Sequence, residues 1–128
     1  MSTHMETAIL LVDDEAAIRE LFAVLLEPYT VVKAPDAATA LTLLASRPFH
    51  LVITDYLMPG MPGDQLIREI CARFARTQTV LMSAHADLAT LASACGADDY
   101  YLKGEPLDGL LTKVEALLLQ PAGDHSQT

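Results

Sequence analysis

Five short apolar runs, each followed by a longer segment of helical period, constrain the fold of this chain more than any other feature. The runs are Ala8–Val12, Thr30–Ala34, Leu51–Thr54, Thr79–Met82 and Tyr100–Leu102. Each has strand length and is rich in aliphatic, β-branched or aromatic residues. After the first run, Ile18, Leu21, Phe22, Leu25 and Leu26 fall on the i, i+3, i+4, i+7, i+8 stripe of an amphipathic helix. Asp36 suits the cap of an Ala/Leu-rich helix running to Ser46. Asp64 opens a helix with Leu66, Ile67, Ile70 and Phe74 inward. Asp87 caps a short one carrying Leu88, Leu91, Ala92 and Cys95, which Gly96 stops. Leu107, Leu110, Leu111, Val114, Leu117 and Leu118 form the stripe of the last. Strand–helix units in unbroken succession predict an α/β fold, a doubly wound parallel sheet with helices on both faces.

Nothing in the chain marks a second domain, and 128 residues suit one. The domain is expected to span residues 7–119, with flexible termini at 1–6 and 120–128. A hydrophobic fraction of 52% fits strands covered on both faces. No apolar run approaches the ~18 residues that span a bilayer, and the first residues lack the layout of a secretory signal. A cytoplasmic location is the expectation. Seventeen acidic against eight basic side chains give a net charge of −9, which would repel nucleic-acid phosphates and anionic lipid. Cys71 and Cys95 lie beside apolar neighbours and read as reduced, core-facing thiols.

Function in open parallel sheets collects at the carboxyl ends of the strands. There the first run delivers Asp13 and Asp14, the third Asp55, the fourth Ser83 and the fifth Lys103. Three carboxylates, a hydroxyl and an ammonium should therefore emerge at one rim. Crowded carboxylates repel one another, and a hard divalent cation such as Mg²⁺ relieves that penalty. Ligand spacing for zinc is missing, since His4, His50, His85 and His125 are scattered. A cation beside Asp55 would also neutralise an incoming phosphoryl group, leaving Asp55 as nucleophile. Lys103 and the Ser83 hydroxyl would reach the phosphoryl oxygens from the other side. The constellation suits phosphoryl transfer. Leu57 and His85, each two residues beyond a site residue, should flank the phosphoryl group. His85 either orients a water or is a solvated loop residue. The loop Tyr56–Gly63 is interrupted by Pro59, Gly60, Pro62 and Gly63 and should be irregular.

Four segments carry a resemblance: Ile9–Glu15 (Ile-Leu-Leu-Val-Asp-Asp-Glu), Leu51–Gly60 (Leu-Val-Ile-Thr-Asp-Tyr-Leu-Met-Pro-Gly), Val80–Ala84 (Val-Leu-Met-Ser-Ala) and Gly96–Lys103 (Gly-Ala-Asp-Asp-Tyr-Tyr-Leu-Lys). In order and approximate spacing they resemble the receiver domain of two-component response regulators, over nearly the whole chain. The resemblance implies a flavodoxin-like (βα)5 sandwich with strand order 2-1-3-4-5. It implies that Asp55 is the phosphoacceptor and, with Asp14, a direct ligand of Mg²⁺ or Mn²⁺. Asp13 would hold the metal mainly through water, and the Leu57 carbonyl would complete the protein ligands. Ser83 becomes the switch hydroxyl and Tyr100 the switch aromatic. The implied partners are a histidine kinase or histidine phosphotransfer protein as donor, and a downstream effector or fused output domain. Such a domain catalyses its own aspartyl phosphorylation and dephosphorylation without turning over an external substrate.

Two departures from the family pattern stand out. The proline that usually follows the lysine, with a cis bond, is displaced to Pro106, and Gly104 takes its place. Without proline a cis bond costs ~2.5–4 kcal/mol, so Lys103–Gly104 should be trans or the loop looser. The span from Ser83 to Lys103 is about two residues short, so the fourth helix should be short or displaced. That helix, Leu88–Gly96, carries no charged side chain. The alternative to an active switch is a degenerate receiver that docks partners without phosphate. A dehalogenase-type phosphatase would need a second Asp where Leu57 stands, and a flavodoxin would need a phosphate-cradling loop where Asp13-Asp14-Glu15 stands.

Overall fold

The computed structural model describes residues 7–84 and 87–120. His85 lies outside them, as do residues 1–6 and 121–128. The elements run β1 (Ala8–Val12), α1 (Ala16–Leu25), β2 (Thr30–Ala34), α2 (Ala37–Ser46), β3 (Leu51–Asp55), α3 (Gly63–Arg73), β4 (Gln78–Ser83), α4 (Leu88–Cys95), β5 (Asp99–Leu102) and α5 (Leu107–Leu118). All strand pairings are parallel and the sheet order is β2-β1-β3-β4-β5, as expected.

The apolar runs form the central strands because every residue of β1, β3 and β4 is buried, which requires cover on both faces. On one face Ile9, Leu11, Ile53 and Met82 meet Phe22 and Leu26 of the α1 segment and Leu110, Val114 and Leu117 of α5. On the other, Leu10, Val12 and Val52 meet Ala37, Ala40 and Leu44 of α2 and Leu66 and Ile70 of α3. A third cluster joins Ile67 of α3 and Leu81 of β4 to Leu88, Ala92 and Cys95 of α4. The chain leaves β1 toward β2 and returns to β3 on β1's other side. That reversal opens a crevice at the carboxyl ends of β1 and β3.

Asp36 caps α2, its carboxylate accepting the Thr39 N–H at 2.8 Å. Gly96, at φ +88°, ends α4, and the Ala97 N–H reaches back to the Ala92 carbonyl at 3.0 Å. Asp87 precedes α4 without a side-chain cap bond. Leu21 is 46% exposed, because the α1 stripe is wider than the strip of helix that meets the sheet. Gly63, expected in the loop, is the first residue of α3, and Phe74 lies just past its end, half-buried. At eight residues α4 is the shortest helix among the described residues, as the shortened span required. Cys71 and Cys95 are free thiols, half-buried and buried respectively.

Candidate functional site

β1 and β3 end side by side at the crevice, so their terminal carboxylates meet. One carboxylate oxygen from each of Asp13, Asp14 and Asp55 lies within 4.8 Å of the others. Asp13 is wholly buried and Asp14 exposed, the usual consequence of adjacent residues pointing to opposite sides as a strand ends. The Asp13 carboxylate accepts the Glu15 N–H at 2.9 Å, and Arg19 donates to the Asp13 carbonyl at 2.7 Å. These contacts brace the β1–α1 turn from α1.

Asp55 is 6% exposed, and its Oδ1 accepts the Tyr56 N–H at 3.0 Å. Lys103, delivered by β5, places Nζ 3.1 Å from Asp55 Oδ1 and 3.1 Å from Asp13 Oδ2, with Glu15 Oε1 at 3.9 Å. Burial pushes the Asp55 carboxyl above the usual carboxylate range. The Lys103 contact opposes that push and the Asp13 charge adds to it. Burial alone would lower the Lys103 ammonium, but Asp55 and Asp13 outweigh it and hold it above the ordinary lysine value. The lysine is thus a fixed cation between two carboxylates.

Above these groups lies a cleft of ≈ 370 Å³ lined by Asp14, Glu15, Asp55, Leu57, Ser83, Ala84 and Lys103. Ser83 closes it from β4, and its carbonyl accepts the Lys103 N–H at 2.8 Å. The Leu57 side chain is 58% exposed and offers no hydrogen-bonding group of its own. Tyr100 stands outside the cleft, half-buried against the α3–α4 cluster. The Lys113 ammonium sits 4.4 Å from its ring centroid and donates to its carbonyl. Asp99 Oδ1 accepts the Tyr100 N–H at 2.8 Å and pairs with Lys113 at 3.3 Å.

Of the six residues expected to converge, Asp14, Asp55, Ser83, Lys103 and Leu57 line the cleft, and Asp13 lies buried beside it, 3.1 Å from the Lys103 ammonium. Sequence reading assigned nothing to Arg19, which on a helical wheel is one polar position among several. It also missed Gly63, whose N–H donates to the Tyr56 carbonyl at 2.8 Å. A Cβ on Gly63 would stand 1.9 Å from the Asp55 carbonyl oxygen, so only glycine lets α3 start this close to β3. Gly104, like Gly96, has positive φ, +99°, and no peptide bond among the described residues is cis. Lys103–Gly104 is therefore trans.

Residues 9–115 match the family model described as the response regulator receiver domain. The chain belongs to that family. It is 40% identical over 103 residues to the response regulator protein FleR of Pseudomonas aeruginosa, covering 77% of this chain and 22% of FleR. To the regulatory protein AtoC of Escherichia coli it is 38% identical over 117 residues, 88% of this chain and 25% of AtoC. The receiver therefore spans about a quarter or less of these two relatives. Among solved structures, the Thermotoga maritima response regulator protein TrrA, in complex with Mg²⁺–BeF, superposes with a TM-score of 0.80 at 35% identity. That match covers 87% of this chain and 98% of TrrA. The signal receiver domain of an HD domain-containing protein from Pseudomonas fluorescens Pf-5 gives 0.81 at 34% identity, covering 88% and 86%. The receiver has no helix, among the described residues, long and apolar enough to cross a membrane.

Proposed function

We propose that this receiver accepts a phosphoryl group on Asp55 from a phosphohistidine and thereby switches a partner-binding surface. The observation that carries the reading is Lys103, held 3.1 Å from Asp55 at the floor of an open cleft walled by acidic side chains. A structural ion pair would have no need of a cleft or of further carboxylates around it.

Asp55 Oδ attacks the phosphorus, the P–N bond breaks, and its electron pair stays with the donor imidazole; an acyl phosphate remains on Asp55. Lys103 moves from pairing two carboxylates to pairing the phosphoryl oxygens, and the Ser83 hydroxyl turns to the same oxygens. The carboxylate oxygens of Asp13, Asp14 and Asp55, within 4.8 Å of one another, fit Mg²⁺ or Mn²⁺, and the Leu57 carbonyl would complete the holding groups. When bound, the ion offsets the charge of the incoming phosphoryl group. With Ser83 drawn toward the phosphate, space opens for the Tyr100 ring to turn inward, which repositions α4 and β5. The donor is a histidine kinase or histidine phosphotransfer protein, and the readout an effector or an attached output domain. A cytoplasmic setting follows from such partners.

The test is incubation with Mg²⁺ and acetyl phosphate, read by intact mass. A Mg²⁺-dependent phosphate adduct absent from Asp55→Asn supports the reading. No adduct on a folded, metal-bound protein favours the phosphate-independent docking module instead.

A further inference from the structure

Lys103 is carried by a turn with little intrinsic rigidity. The Glu105 N–H donates to the Leu102 carbonyl at 3.1 Å, closing the four-residue turn Leu102–Glu105. Gly104 holds its third position at φ +99°, and a Cβ there would meet nothing within 4 Å. The tip therefore has a glycine's backbone freedom and no side chain to pack. Yet the Lys103 ammonium stands 3.1 Å from two carboxylates at the ends of two other strands. Such a placement needs the turn anchored at both ends. At the sheet end the Lys103 N–H is held by the Ser83 carbonyl at 2.8 Å. At the far end the Tyr101 hydroxyl donates to the Glu105 carbonyl.

Tyr101 is a core residue: it is 2% exposed and meets Phe22 edge-on, ring centroids 6.2 Å apart. Its hydroxyl is the polar tip of a ring whose direction is set by α1 and the sheet, not by the turn it touches.

We propose that Tyr101 is a positioning residue for Lys103, its hydroxyl pinning the Gly104 turn so that the ammonium stays aimed at Asp55. The consequence for phosphoryl transfer rests on the phosphoacceptor reading, but the effect on Lys103 itself does not. Hydrogen bonding at Glu105 supplies the restraint that Gly104 lacks.

Tyr101→Phe keeps the ring and removes the bond. Loss of one hydrogen bond predicts phosphorylation by acetyl phosphate and Mg²⁺ about five-fold slower. Lys103→Met and the double variant complete a cycle. If Tyr101 acts through Lys103, Tyr101→Phe has no further effect in the Lys103→Met background. The second readout uses metal-free protein, with NMR relaxation of the Lys103 ε-methylene and the exposed Lys33 as reference. Tyr101→Phe should loosen Lys103 and leave Lys33 unchanged. Equal slowing in both backgrounds would overturn the proposal, since it marks general damage to the core. An unloosened Lys103 would overturn it too, showing that the turn holds itself. Should the wild-type protein take no phosphate at all, the phosphoacceptor reading fails, while the relaxation data still decide the role of Tyr101.

Discussion

At the scale of single residues, the acid cluster is built against its own stability. Burial and the Asp13 charge raise the Asp55 pKa in the folded protein, so folding favours the protonated carboxyl. The ionised form therefore costs stability in full above the folded pKa, and the cost shrinks as pH falls below that value and is gone below the unfolded one. In the absence of metal, Asp55→Asn should be more stable than wild type at neutral pH by on the order of 1 kcal/mol. Denaturant melts should show that gap narrowing in acid. Lys103 is the counterweight. Lys103→Met should slow phosphorylation by a factor on the order of 10², the scale of losing one preorganised electrostatic partner. The same variant should bind Mg²⁺ more tightly by calorimetry, because a fixed cation 3.1 Å from both Asp13 and Asp55 has been removed. These residues were legible in the sequence because each directly follows an apolar run. Arg19, Gly63 and Tyr101 were not, because their contacts are to backbone carbonyls or depend on backbone approach, and no side-chain pattern encodes those.

At the scale of elements, α3 is the part most tightly fitted to the site. A Cβ at position 63 would lie 1.9 Å from the Asp55 oxygen, 2.8 Å from its carbonyl carbon and 3.0 Å from the Tyr56 Cα, all backbone atoms that cannot swing aside. Gly63→Ala should destabilise the fold by at least ~2 kcal/mol in urea titration, and the loss should be accompanied by weaker Mg²⁺ binding. The short α4 was readable by counting residues between Ser83 and Lys103, whereas its start was not. Asp87 looks like a cap in sequence, yet its side chain makes no cap bond. Leu21 was misplaced for a similar reason: periodicity finds the apolar face of a helix but not how much of it the sheet covers.

At the scale of the molecule, the parallel sheet covered on both faces followed from alternation and right-handed crossovers, whereas the strand order, which places the crevice between β1 and β3, was implied by the family resemblance. What a phosphorylated receiver presents to a partner is a matter of surface. The segment Leu88–Gly96 carries no charge, and Lys113 and Asp99 are paired within the chain rather than left for a neighbour. A contact formed on phosphorylation should therefore be small and weakly salt-dependent. A dimer that appears on phosphorylation and dissociates steeply with added salt in sedimentation experiments would refute this. The central claim is that a phosphoryl group on Asp55 reorganises a surface beyond the cleft. Its most direct test is amide NMR of the metal-free, Mg²⁺-bound and Mg²⁺–beryllofluoride-bound protein. Beryllofluoride, beyond Mg²⁺ alone, should shift a continuous path from Asp55 through Ser83 to α4 and Tyr100. Shifts confined to Asp13, Asp14, Asp55 and Lys103 and their immediate neighbours would contradict it.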